Sequence, residues 1–255
     1  MPSGKIDLVA DTHMHTTAST HAYSTLQEMV HAAAAKGLYA VAITDHGYRM
    51  PGAPGSWYFA NLKVVPHVLE GVLVLRGQET NILDGEGHID LEETDAEGLD
   101  WVVASIHTPV VKNKIPMGGD VTDVWLRIAG DPRINVIGHS GTAEYPYDYD
   151  TVLPAFAEGG KLVELNESTF HNRKSSVTNC VEIMKRCKKL GVPVIVDSDA
   201  HFSTMVGEFT YSKQLLRELE FPPELVVNSS IPRFRAYLEK HSRVFRDSAL
   251  KTAEE

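Results

Sequence analysis

Seven short runs of apolar, largely β-branched residues punctuate the chain: "IDLVA" (6–10), "AVAIT" (40–44), "VLVLR" (72–76), "WVVASI" (101–106), "INVI" (134–137), "KLVEL" (161–165) and "PVIVD" (193–197). Near-continuous apolarity over four to six residues predicts strands covered on both faces, as in a parallel sheet. The stretches between them follow a helical period. Ser24 and Gln27 read as a capping box, Leu26, Met29, Val30 and Ala33 follow on one face, and Gly37 supplies the stop. "VTNCVEIMKRCKKLG" sets Val177, Cys180, Val181, Met184, Cys187 and Leu190 at helical spacing, with basic residues in its last turn and Gly191 closing it. "DVTDVWLRIAG" and "STMVGEFTYSKQLLREL" read as further helices.

Strand and helix alternate about every thirty residues, the rhythm of βαβ units. Seven units in 255 residues predict an α/β fold: a distorted (β/α)7 barrel, TIM-barrel-like, as one domain over 1–255. An open doubly wound sheet is the competing architecture. No G-x-G-x-x-G follows the first run, so its dinucleotide-binding form loses support.

Composition adds boundaries. With 43% hydrophobic and 23% charged residues and no biased tract, the chain is of ordinary globular type, disorder being expected only at ends such as "KTAEE". A net charge of −10 opposes broad contact with nucleic acid or anionic membranes, yet allows a local cationic site. No apolar stretch approaches the ~20 residues of a membrane span, and "MPSGKIDLVAD" lacks the basic start and long apolar core of a secretory signal. Cys180 and Cys187, seven apart on one helix, lie roughly 10 Å apart along its axis, beyond disulfide reach. Reduced thiols and a cytoplasmic location are the expectation.

Barrel chemistry collects where strands end. Here the first strand runs into "DTHMH", the second into "TDHG", the third into "GQETN", the fourth into "SIHTP", the fifth into "GHSG" and the seventh into "DSDAH". With the following loop histidine, the candidate metal ligands are His13, His15, His21, His46, Glu79, His107, His139, Asp199 and His201. Residues i and i+2 share a strand face, so His13 can converge with His15, and Asp199 with His201. Imidazole and carboxylate without thiolate suit zinc, iron or manganese. Nine donors exceed one tetrahedral ion and suffice for two or three. Three divalent ions against two carboxylates would leave about +4, a pocket for an anionic substrate such as a phosphate ester.

"HMHTTAS", "AITDHG", Glu79, the single His107 and His139, and "DSDAH" together resemble the PHP (polymerase and histidinol phosphatase) superfamily. "STHAYSTL", "FSTMVGEFTYS" and "FPPELVVNSS" look like its YcdX-type phosphatases, and the similarity runs from residue 6 to about 240. The resemblance implies a distorted seven-stranded barrel and a trinuclear centre, usually of zinc, with iron or manganese in relatives. It implies one ion on His13, His15, Glu79 and Asp199, a second sharing Glu79 with His107 and His139, and a third on His21, His46 and His201. It also hints at a homo-oligomer, a trimer. Thr12, where an apolar residue is common, and Ser140, where proline is frequent, depart from the pattern without touching a ligand.

The expected function is a metal-dependent phosphoesterase acting on a small phosphorylated substrate through metal-bound hydroxide, with Asp199 or His201 moving a proton. The alternatives are an amidohydrolase-type enzyme of amides or lactones and a non-catalytic metal-binding PHP module. Arg173 in "TFHNRKSS" is a candidate for gripping substrate phosphate, a plain surface arginine being the competing reading. Asp45 reads either as an acceptor orienting an imidazole or as a turn residue. Trp57, Tyr58 and Phe59 read as a packing cluster or a pocket mouth. Asp84 and Glu86 are expected to be solvated loop acids, and His31, His67, His88, His171 and His241 to serve surface or packing roles.

Overall fold

The computed structural model describes residues 6–246, so the expectation for "KTAEE" lies outside the described residues. Its strands are β1 (Ala10–Asp11), β2 (Ala40–Ile43), β3 (Val68–Leu69), β4 (Val72–Asn81), β5 (Trp101–Ser105), β6 (Val136–Ile137), β7 (Leu162–Asn166) and β8 (Val194–Asp197). The α-helices are α1 (Leu26–Ala35), α2 (Ser56–Asn61), α3 (Glu93–Ala96), α4 (Thr108–Val111), α5 (Thr122–Ala129), α6 (Tyr149–Glu158), α7 (Ser168–Asn172), α8 (Val177–Leu190), α9 (Thr210–Glu218) and α10 (Ile231–His241). Seven strands run parallel in the order β1-β2-β4-β5-β6-β7-β8, and β3 folds back antiparallel on β4. This is the expected distorted seven-stranded barrel, with β3 an unforeseen addition.

Side chains draw the two ends of the sheet together. Above β1 and β8, Met14 bridges Ala200, and His15 N donates to Ala200 O at 2.8 Å. Thr12 donates from N and Oγ1 to Asp197 Oδ1, while Ser198 donates from N and Oγ to Asp11. Below, buried Asn228 spans the gap, its Nδ2 donating to Ala10 O and Val196 O and its Oδ1 accepting from Val196 N. Thr12 is thus a seam residue.

Alternation along each strand divides the core in two. Val102, Ala104, Ile137, Val163, Leu165, Val194 and Val196 face the helical layer. Ala40, Leu73, Leu75, Trp101, Val103, Val136, Leu162 and Ile195 face inward, where Phe234 and Leu238 of α10 plug the barrel floor. Each of those two plug residues contributes about 1.5–3 kcal/mol by burial. The inward file then changes character toward the C-terminal end: Leu75 is followed by Gly77 and Glu79, Leu162 by Glu164, and Ile195 by Asp197 and Asp199. The apolar floor is thus the rigid base of a polar mouth.

Several local expectations shift. The first strand is Ala10–Asp11 rather than 6–10, because Val9 bonds Tyr39 and Asn228 before the ladder begins. The third run continues to Asn81, placing Glu79 within the strand instead of beyond it. The α1 capping box is made by Thr25 and Glu28, one residue later than expected. Ser24 is buried and accepts from Ser203 N, tying two rim loops together. The predicted 203–219 helix is split into a turn at Ser203–Met205 and α9, whose first amides Tyr211 N and Ser212 N are capped from outside by Glu167. Helix α8 has its expected extent and ends on left-handed Gly191 (φ 70°), with Cys180 and Cys187 buried as free thiols. No helix among the described residues is long and apolar enough to cross a membrane.

Candidate metal centre

All nine candidate donors meet at the C-terminal mouth of the barrel. His13 and His15 follow β1, His46 follows β2, Glu79 rides on β4, His107 follows β5, His139 follows β6, and Asp199 and His201 follow β8. Bonds from Glu79 N to Asp45 O and from Gly47 N to Glu79 O extend the β2–β4 pairing just far enough to hold His46 beside Glu79. His21 arrives on the loop after β1, which is fixed by Tyr23 N donating to His201 O at 2.9 Å.

Glu79 is the hub and is 1% exposed. Its Oε1 lies 3.3 Å from His13 Nε2, 3.3 Å from His107 Nε2 and 3.1 Å from His139 Nε2. Its Oε2 lies 2.6 Å from His46 Nδ1 and 3.5 Å from His15 Nε2. Asp199 Oδ1 is 3.3 Å from His15 Nε2 and 3.7 Å from His13 Nε2. His21 and His201 extend the chain of rings, their centroids 4.6 Å apart, and His15 and His201 stand at 4.4 Å.

The donor set suits cations. His13 Nε2, His15 Nε2, His46 Nδ1, His139 Nδ1, His201 Nε2 and Glu79 Oε2 are buried without a hydrogen-bond partner. The short His46 Nδ1–Glu79 Oε2 distance therefore lacks hydrogen-bond geometry. Burying that many unpaired polar atoms would cost several kcal/mol if nothing engaged them. Three overlapping triads bring their ligand atoms within 4.8 Å of one another: His15, His46 and His201; His13, His15 and Asp199; His46, Glu79 and His107. In the expected partition His15 and His46 each serve one ion; here each belongs to two triads.

A second layer fixes the rings, as metal ligands require. Glu164 Oε1 meets His13 Nδ1 at 2.6 Å, Asn81 Oδ1 meets His107 Nδ1 at 2.7 Å, and Asp199 O meets His201 Nδ1 at 2.9 Å. Asp90 in turn binds Asn81 Nδ2 at 2.6 Å. Glu164 and Asn81 escaped the sequence reading, although each carried a signal. Glu164 is a carboxylate in an otherwise apolar buried strand, which demands a partner, and Asn81 stands two residues from Glu79 on the same face.

Electrostatics follow from crowding. Burial would raise Glu79, but His107, His13 and His46 hold it well below the usual carboxylate range. Burial likewise opposes ionisation of Asp199, and His13 with Arg173 holds it low. Desolvation and the neighbouring rings depress His15. Desolvation outweighs the pull of Glu79 on His107, which falls to about 4. These two imidazoles are neutral near pH 7, the form that ligates metal. His13 is the exception: burial depresses it, yet Glu164, Glu79 and Asp199 together raise it.

Arg173 is no plain surface residue. Its Nη2 donates to Asp199 Oδ2 at 2.9 Å and its Nη1 to Asn166 Oδ1 at 3.2 Å. Asp45 touches no imidazole directly. It accepts from Thr16 N and Oγ1, Ser19 Oγ and Tyr58 OH, while Ser19 Oγ lies 3.4 Å from His15 Nδ1 and accepts from His46 N. The aromatic trio divides: Phe59 is core, Tyr58 pins Asp45, and Trp57 is 89% exposed. His31, His67 and His88 pair with Glu70, Asp100 and Asp84, His171 packs on Tyr211, and His241 stacks on Tyr237; none joins the nine. Glu86 is exposed beside Arg127, and Asp84 holds its own loop by accepting from Glu86 N.

The PHP domain family model matches residues 11–168. A probable phosphatase of Caldicellulosiruptor saccharolyticus is 44% identical over 238 residues, covering 92% of this chain and 98% of that protein. One from Acetivibrio thermocellus is 42% identical, covering 93% of this chain and 98% of that protein. Among solved structures, histidinol phosphate phosphatase from Lactococcus lactis subsp. lactis, complexed with zinc, L-histidinol and phosphate, superposes with TM-score 0.54 at 18% identity. That match covers 83% of this chain and 92% of the other, and at this identity it speaks to the fold alone.

Proposed function

The chain belongs to the PHP domain family, and from that premise we propose that it is a metal-dependent phosphoesterase, a single-domain phosphatase of small phosphate monoesters. Three divalent ions, zinc or else iron or manganese, are assigned to His13, His15, His21, His46, Glu79, His107, His139, Asp199 and His201. The observation that carries the reading is the convergence on Glu79 of histidines from four other strand ends, with three imidazole nitrogens, His13 Nε2, His15 Nε2 and His46 Nδ1, buried and unpartnered beside it. The bound ions supply Lewis acidity toward phosphoryl oxygens and an activated water nucleophile.

The chain's own groups do the rest. Arg173, held by Asp199 and Asn166, keeps N–H groups in hand for a substrate phosphate oxygen. Asp199 and His201 are assigned to move the proton that the leaving oxygen needs. The two are tied together, Asp199 O meeting His201 Nδ1 at 2.9 Å. A degenerate binding module would have lost donors, and all nine are present. The curated relatives are named probable phosphatases, which also supports this reading over an amide or lactone hydrolase.

The test is hydrolysis of p-nitrophenyl phosphate and a panel of phosphorylated metabolites, with amides and lactones in parallel. Activity on monoesters, abolished by chelator and restored by metal, is the expected result. Metal-loaded protein that leaves every phosphate ester untouched would end the proposal.

A further inference from the structure

Glu164 stands on the inner face of β7, two residues above Leu162 of the barrel floor, and is 4% exposed. It uses its two oxygens on two different kinds of group. Oε1 meets the ring of His13 at Nδ1, 2.6 Å away, and Oε2 accepts from the main-chain N of His139, also at 2.6 Å. Those histidines come from β1 and β6. All three rings of His13, His107 and His139 reach Glu79 Oε1, but His13 also faces Asp199, whereas His139 stands beside His107. We infer that Glu164 is a positioning residue that couples the loading of two ion positions, by fixing the ring of His13 and the backbone of His139 with one carboxylate. The inference rests on the metal-centre reading above.

The chemistry of the acceptor gives the coupling its force. An ionised carboxylate can only accept, so when His13 gives up one proton to ligate metal, the proton it keeps sits on Nδ1 and the freed Nε2 lone pair faces Glu79 and Asp199. His139 is a non-glycine residue in left-handed backbone (φ 26°), a conformation that persists only where its surroundings over-determine it. The Glu164 bond to its N–H is such a restraint. Glutamine, equal in shape, cannot serve both partners. With its carbonyl toward His13, its NH2 opposes the His139 N–H, donor against donor. With the amide reversed, NH2 faces His13 Nδ1 and favours the tautomer protonated at Nε2, the nitrogen that must bind metal.

The experiment is titration of the metal-free full chain with Zn2+ and with Co2+, read by calorimetry, by bound metal per chain and by the Co2+ absorption spectrum. In the wild type two ions should load cooperatively. In Glu164→Gln those two should bind about 10–100-fold more weakly and with reduced cooperativity, what remains passing through the shared Glu79, and with altered Co2+ bands. The ion on His21, His46 and His201, none of which Glu164 touches, should bind as before. His21→Ala should do the reverse, losing one ion while the cooperative pair persists. Wild-type loading by folded Glu164→Gln overturns the inference, as does equal weakening of all three ions. Glu164→Asp keeps the charge but is too short to reach both partners, so its loading like the wild type overturns the inference even if the glutamine variant does not fold. Wild-type protein that binds no divalent ion would instead remove the proposed function itself.

Discussion

Replacing Glu79 with glutamine is the sharpest perturbation of the centre, because its two oxygens face different sets of imidazoles. The amide keeps the shape but presents an NH2 group where a cation must be bound, so the ions on at least one side are lost. An ion that binds only the native state at a thousandfold excess over its dissociation constant stabilises by about 4.1 kcal/mol. For a chain of this size each kcal/mol moves the melting temperature by roughly 2–4 °C. Each ion lost therefore removes roughly 8–16 °C of the rise that metal gives the wild type. The ion-free proteins should melt close together, because glutamine fills the volume of Glu79. Differential scanning fluorimetry with chelator and then with Zn2+ or Mn2+ reads both quantities. Phosphatase activity should fall at least ~100-fold, exceeding the usual cost of an outer-sphere change. A Glu79→Gln protein with the full metal-dependent rise in melting temperature would refute the hub role.

Two further outcomes follow from the same geometry. Arg173→Ala should raise KM for phosphate monoesters and lower kcat/KM by about 100-fold, with Arg173→Lys a poor rescue because an ammonium cannot reproduce the planar fork that spans Asp199 and Asn166; steady-state kinetics checks both, and an unchanged KM in the alanine variant would return Arg173 to a structural role. Burial pushes the Cys180 thiol up to about 12 and Cys187 higher still, so at pH 8 both stay protonated and unreactive. Iodoacetamide should label neither in the native protein and both in guanidinium, and native labelling would show that α8 opens.

The features legible in the chain were those written in short-range patterns. Doubly covered strands give unbroken apolar runs, so the parallel architecture could be read directly, and donors just beyond those runs had to share one rim. That is why His13, His15, His46, His107, His139 and His201 could be named before any coordinate. Cap position was less legible: Ser24 and Thr25 are chemically near-equivalent, and only the docking of Ser24 against Ser203 N leaves Thr25 to start α1. Long-range partners left little local trace. Glu164 could be suspected from its strand, but that its two oxygens reach His13 and His139, 151 and 25 residues away, depends on how the barrel closes. The same holds for Arg173 on Asp199 and for Asn228 in the seam. Sequence determined which chemistry was available, because strand period and residue type are properties of neighbours along the chain. Tertiary structure decided how donors were shared and restrained, because closing a sheet on itself sets distances between segments that no local pattern encodes.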